Sequence, residues 1–174
     1  MELLEAIRGR RSIRTYRPDK IPEQDLREIL EASICAPSAG NLQSWEFVVV
    51  REHGTKVALA EAARGQDFIV EAPIVIVVCA NMARSARRYR DRGASLYSIQ
   101  DTAAAIQNIL LASYALGFGS CWIGAFDETK AARIIHAPSD VRPMAIIPIG
   151  LPAESPNPPS RMDLERVLHF EKFT

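Results

Sequence analysis

Apolar positions along this chain change period repeatedly, and each change marks an element. A short apolar helix is expected over 2–8, with Gly9 placed to close it. A second helix starts at Pro22, a favoured first helical residue, with Glu23 and Asp25 supporting its N-terminus. Its buried face reads Leu26, Ile29, Leu30 and Ile34, and it ends before Pro37. The continuous apolar runs 47–50 and 74–79 predict buried strands, the later one opened by Pro73. An alanine-rich helix over 56–63 lies between them. The longest helix spans 97–116, where Ile99, Ala103, Ile106, Leu110 and Ser113 form one stripe made partly of small residues. Residues 121–123 read as a short strand, Asp127 as the cap of a helix reaching 135, and 144–149 as a last central strand. The proline-rich segment 152–159 excludes regular structure. It is expected to lie across a surface, a partner's included, before a closing segment over 167–173. Helical and strand patterns alternate without repeat or low-complexity linker, which predicts one mixed α and β domain spanning 1–174.

Charge narrows the partners. Lys and Arg total 21, as do Asp and Glu, so the chain lacks the basic field that nucleic acids and anionic membranes require. Its apolar runs are too short to span a bilayer, and its first residues lack the features of a signal peptide. Cys35, Cys79 and Cys121 are odd in number and widely spaced. They read as reduced thiols of a cytoplasmic protein. His53, His136 and His169 are equally scattered, and no metal site is expected.

Against that neutral background, Arg10-Arg11-Ser12-Ile13-Arg14 concentrates three guanidinium groups and a hydroxyl in five residues. Arginine's planar fork of donors matches phosphate oxygens. A second loop, 36–47, places small residues beside the uncharged donors and acceptors of Ser38, Asn41 and Gln43, with Trp45 as an apolar wall. A third segment, 116–126, holds a Gly-x-Gly. The dinucleotide reading of that motif fails, because these glycines follow a helix and open a strand, and Trp122 replaces the third glycine. No nucleophile elbow, Walker loop or zinc-protease motif is present. Ligand loops without acid–base machinery point to a cofactor that carries the chemistry, and no side chain is assigned as catalytic.

These three segments, in this order, resemble the flavin-dependent nitroreductase family, and Ile149-Gly150-Leu151-Pro152-Ala153-Glu154 followed by Arg161 looks like its closing signature. The resemblance implies a three-layer α+β sandwich with a mostly antiparallel sheet. It also implies an intertwined homodimer with FMN at the interface, and NADH or NADPH as electron donor. Carried over by position, Arg10, Ser12 and Arg14 hold the phosphate, ribityl chain or polar edge of the ring. Arg11 contributes at least through its backbone, and Arg161 completes the phosphate site. Pro37, Ser38, Ala39 and Asn41 come from the partner chain to line ring and tail. Ile123 and Gly124 aim backbone N–H groups at the ring nitrogen that accepts hydride, and Gln66 reaches the pyrimidine edge. The acceptor implied is an electron-poor small molecule such as a nitro compound or quinone.

Ser44 stands where many members have proline, a change a loop tolerates. The chain is also short between its second strand and its longest helix, a region larger members use to cover the flavin. Here residues 81–93 carry Arg84, Arg87, Arg88, Arg90 and Arg92. They read either as a solvated, mobile charged face or as a lid that draws in an anionic substrate or nicotinamide phosphates. The alternatives to a nitroreductase are a specialised enzyme on the same fold, such as a reductive dehalogenase or flavin-destroying synthase, and a non-enzymatic flavin-binding protein.

Overall fold

The apolar strand runs find one another across the chain. In the computed structural model, which describes residues 2–173, β1 (Trp45–Val50) pairs antiparallel with β2 (Ile74–Asn81). β4 (Val141–Gly150) takes the other side of β2, and the two-residue β3 (Gly119–Ser120) pairs with β4. The order is β1-β2-β4-β3, antiparallel throughout.

β2 is apolar at consecutive positions because both of its faces are covered. Val75, Val77 and Cys79 enter one core with Leu59, Ala63, Ile69 and Ala131. Ile74, Ile76 and Val78 enter the opposite core with Leu26, Ile29, Ile106, Ile109 and Leu110. Period-two alternation therefore separates two cores with one strand between them. Helices α3 (His53–Ala62), α4 (Phe68–Glu71) and α7 (Glu128–Ile134) cover the first face, and α2 (Glu23–Ile34) and α6 (Ser98–Ala115) cover the second. The result is the three-layer α+β sandwich that the resemblance implied.

Several local expectations are corrected. Gly9 does not cap α1 (Leu3–Gly9) but is its last residue. A Cβ there would lie 2.2 Å from the Tyr114 hydroxyl, so glycine is required for close approach to α6. On α2, Leu26 and Ile29 are buried and Leu30 is half-buried, whereas Ile34 is 50% exposed. The face of α6 turned to the core is Thr102, Ala105, Ile106, Ile109, Leu110 and Ser113, leaving Ile99 and Ala103 only half-buried. Small Ala105 admits Trp45, which packs there with Ala36. Residues 121–123 are not a ladder strand. Cys121 N–H donates to the Pro148 carbonyl at 3.4 Å, but proline has no N–H to return, and pairing resumes only as a bridge between Ile123 and Ile146.

The arginine-rich segment is helical with a kink: α5 (Met82–Arg92) is interrupted by non-helical backbone at Arg90, then runs into a π-helical turn over Gly93–Tyr97 and α6. Beyond Pro152 the closing segment covers little of its own chain. Phe170 is 77% and Phe173 89% exposed, and on α1 Leu3, Leu4 and Ile7 are exposed as well. No helix among the described residues is long and apolar enough to cross a membrane.

Candidate functional site

The arginine motif becomes a fixed arm because one residue within it and one just after it are anchored in the core. Ile13 and Tyr16 are almost fully buried. Ile13 N–H donates to the Ser120 carbonyl at 3.0 Å, and Arg17 N–H donates to the Leu151 carbonyl at 2.9 Å. The Tyr16 hydroxyl donates to the Ile13 carbonyl, and burial raises its pKa. With Ile13 anchored inward, Ser12 and Arg14 lie on the opposite side of the arm. The Arg14 N–H donates to the Glu154 carboxylate, which fastens the arm to the segment after β4.

Four guanidinium groups converge on that side. Arg10, Arg11, Arg14 and Arg161 line one cleft of about 290 Å³ with Ser12, Pro156, Asn157 and Pro159. Arg11 is partly committed to the chain, donating to the Arg8 and Arg10 carbonyls at 2.7 Å each. Arg10 is not: its Nε is buried with no hydrogen-bond partner, as is the Ser120 hydroxyl. Burial, reinforced by Arg11 and then Arg161, pulls Arg10 below the ordinary guanidinium value. A buried donor without an acceptor is costly, and mutually repelling cations need a counter-anion. An anion with several oxygens answers both demands, so the residues present fit a phosphate group.

The neighbouring segment lies beside this arm. Burial pushes the Cys121 thiol up, while Arg14, a hydrogen bond with Ser12, and Arg10 act in the opposite direction. The expectation that Ile123 and Gly124 both present free N–H groups is corrected for Ile123, whose N–H donates to the Ile146 carbonyl at 3.0 Å. Gly124 is exposed and has no such backbone partner. Gln66 is drawn to the same corner, its amide donating to the Ala63 carbonyl at 2.9 Å and the Ala125 carbonyl at 3.3 Å.

Pro37, Ser38, Ala39 and Asn41 lie elsewhere. Their loop includes a 3-10 turn, Ala39–Asn41, in which Gly40 and Asn41 both have left-handed backbone, with φ of 58° and 56°. Gln43 shares that conformation, and its N–H donates to the Ser38 hydroxyl at 3.0 Å. Asp101 holds the loop in place. Its buried carboxylate accepts from Ala39 N–H at 2.9 Å and from the Ser44 hydroxyl at 2.7 Å. Sequence reasoning missed Asp101; the available signal was an acid on the buried side of an otherwise apolar helix.

The two groups of residues occupy opposite ends of α6. Arg10 shares a pocket with Tyr114 and Gly117, whereas the Ser38 loop is tied to Asp101. At about 1.5 Å per residue, the axial separation from Asp101 to Tyr114 is about 20 Å. One protomer thus brings together Arg10, Arg11, Ser12, Arg14 and Arg161, with Gln66, Ile123 and Gly124 nearby, and leaves the Ser38 loop remote. Among the described residues, no group of three His, Cys, Asp or Glu side chains is placed to hold a metal ion.

Comparison with known proteins bears on this arrangement. The chain is 39% identical to a protein of Thermus thermophilus named NADH dehydrogenase, over 91% of each. It is 27% identical to a Bacillus subtilis protein named FMN reductase [NAD(P)H], over 99% of this chain and 74% of that one. The fold superposes on nitroreductase A from Vibrio parahaemolyticus with a TM-score of 0.92 at 25% identity, covering 100% of this chain and 77% of that one. The family model described as "Nitroreductase family" matches residues 7–66 and 56–151, which include the arginine arm, the Ser38 loop, Gln66 and the Ile123–Gly124 corner. Fold, arm and loop order agree with that match: this chain belongs to the nitroreductase family.

Proposed function

We propose that this protein is an FMN-dependent oxidoreductase that passes electrons from a nicotinamide donor, NADH or NADPH, to an electron-poor acceptor such as a nitro compound or quinone. The observation that carries this reading is the four-arginine cleft with the buried, unpartnered Nε of Arg10. Relatives named FMN reductase and NADPH nitroreductase support it. When bound, FMN would supply the two-electron redox chemistry that links the nicotinamide donor to the acceptor.

The chain's own residues bind and orient. Arg10, Arg14 and Arg161 hold the phosphate, Arg11 adds positive field, and Ser12 offers a hydroxyl to the ribityl chain. Gly124 contributes its free N–H at the ring corner, Ile123 keeps that corner fixed to β4, and Gln66 offers its carbonyl oxygen. Stabilisation of developing negative charge by fixed backbone and arginine donors needs no side-chain acid or base.

The Ser38 loop reaches the site from a second copy. Pro37, Ser38, Ala39 and Asn41 lie too far along α6 to meet the arginines of their own protomer. A two-fold homodimer with antiparallel α6 helices brings each loop to the other protomer's cleft. Exposed apolar residues on α1 and the closing segment, including Leu3, Leu4, Met162, Phe170 and Phe173, support such an interface.

The test is direct. The purified protein is expected to be yellow, to release FMN and not FAD on denaturation, and to bleach when titrated anaerobically with NADH or NADPH. It is expected to sediment as a dimer. A colourless protein that FMN cannot reconstitute, or a monomer that retains flavin, would overturn the reading.

A further inference from the structure

Helix α5 carries a second arginine cluster that the resident cofactor does not use. Its inward side is Ser85 and the half-buried Tyr89, four residues apart, while Arg87, Arg88, Arg90 and Arg92 are exposed. Asp91 is the only acid in the helix. Arg84 is already committed: it pairs with Glu46 and donates to the Gln43 and Trp45 carbonyls. Arg27, Arg51 and Arg142 likewise have glutamate partners. No carboxylate pairs with Arg87, Arg88, Arg90 or Arg92 among the described residues. Arg88 and Arg92 instead stack over the rings of Tyr89 and Tyr97, with guanidinium carbons 5.5 Å and 5.3 Å from the centroids. Arg92 Nε also donates to the Tyr97 hydroxyl at 2.9 Å. These contacts fix the planes of two cations and leave the Nη donors of Arg92 and the edge donors of Arg88 without a carboxylate partner.

The cluster adjoins the proposed site. A Cβ on Gly40 would lie 2.6 Å from the Tyr89 hydroxyl and 3.1 Å from Arg88 Nη1, so α5 rests directly on the loop that lines the flavin. Arg90 has φ 48° and ψ −135°, a backbone conformation that L-residues avoid and that concentrates at functional sites. Burial and fixed geometry suit a resident phosphate, as at Arg10. Exposed, unpaired cations suit an anion that arrives and leaves, because they steer encounter and release ligand readily. Of the two visiting substrates in the reading above, nitro compounds and quinones need carry no charge. The nicotinamide donor always carries a pyrophosphate, and in one form a further phosphate.

We infer that α5 is the docking surface for the phosphates of the nicotinamide donor, and that Arg87 and Arg90 select the form bearing the additional 2′-phosphate, NADPH over NADH. The inference rests on the proposed FMN-dependent function. A phosphate monoester carries about −1.5 to −2 charges near neutral pH, and losing its arginine partners weakens binding roughly tenfold or more.

The experiment uses the oxidised holoenzyme in wild-type, R87A/R90A double-variant and R27A control forms. Calorimetry measures binding of adenosine 2′,5′-bisphosphate and of ADP, and steady-state assays measure kcat and KM for NADPH and NADH. Wild type and R27A are expected to prefer NADPH in kcat/KM by roughly tenfold or more and to bind the 2′,5′-bisphosphate more tightly than ADP. The double variant is expected to lose both preferences through KM, with kcat and flavin content retained. Equal use of both donors by wild type, or a preference that survives R87A/R90A, would overturn this inference while leaving the FMN reading intact. A protein that cannot hold FMN would overturn both.

Discussion

Removing Asp101 separates the loop's role from that of the fold. In Asp101→Ala the Ser44 hydroxyl and Ala39 N–H both lose their acceptor. Ser44 is fully buried, so water cannot easily replace the lost partner. Hydrogen bonds to a charged group contribute about 1.5–3 kcal/mol each, which places the combined loss near 3 kcal/mol after partial relaxation. That is a large fraction of the 5–15 kcal/mol or so that stabilises a typical domain. The loop should suffer more than the core, because Gly40, Asn41 and Gln43 all adopt left-handed backbone that the carboxylate helps to hold. Asp101→Asn keeps the shape and one acceptor oxygen, and its amide can donate to the Ser44 oxygen, so its loss should be about 1 kcal/mol. Urea titrations followed in parallel by far-UV circular dichroism and flavin fluorescence would read both effects. The alanine variant should release flavin at distinctly lower urea than wild type, ahead of loss of helicity, with the asparagine variant in between. Wild-type flavin retention and an unchanged unfolding midpoint in Asp101→Ala would refute the argument.

Arg10→Ala removes the buried donor and should weaken FMN binding roughly tenfold or more while leaving the apoprotein at least as stable, since repulsion from Arg11 and Arg161 is relieved; flavin dissociation constants and apoprotein melting would show both. Lys56→Met tests a buried cation: the Lys56 ammonium donates to the Val70 and Ala72 carbonyls at 3.0 and 2.8 Å, and the variant should lose about 2–4 kcal/mol in urea unfolding. Glu52 is held below the ordinary glutamate value by the Gly54 and Thr55 N–H groups, and Glu128 is held below it by Arg142. Both depressions add stability that is complete above pH 4.5, the ordinary value, and is lost as pH falls below it. Glu52→Gln and Glu128→Gln should each flatten the acid limb of a melting-temperature profile, and an unaltered limb would refute the assignment.

Period and punctuation made most of the fold legible. The two-sided burial of β2 was written in its unbroken apolar run, and the start of α2 in Pro22, which stands as the N-cap and not as the first helical residue. Chain-distant facts were not legible. Whether 121–123 becomes a strand depends on Pro148 in its neighbour, and Gly9 is set by Tyr114 far along the sequence. Helix α5 was hidden because its inward side uses Ser85 and Tyr89 instead of aliphatic residues, so no apolar stripe announces it. The arginine arm could be read as an anion cluster because charge density needs no partner to be visible. Asp101 could not be read as the loop's anchor, because only the folded chain brings it to Ala39 and Ser44.

The placement of these parts along α6 has a consequence for assembly. One end of the helix carries the anion cleft and the other carries the Ser38 loop, Asp101 and, across Gly40, the arginines of α5. A parallel pair of α6 helices would set like ends together, juxtaposing two clusters of guanidinium groups at one side and two loops at the other. An antiparallel pair places each cleft against the other protomer's loop and so forms two equivalent composite sites. Charge does not choose between them, because the antiparallel pair sets each cleft beside the arginines of the opposing α5. The distance of the Ser38 loop from its own protomer's cleft is what favours the second. The antiparallel arrangement would make ligand binding and association one equilibrium: an anion that neutralised Arg10 and touched the opposing loop would bind the dimer alone and stabilise it by mass action.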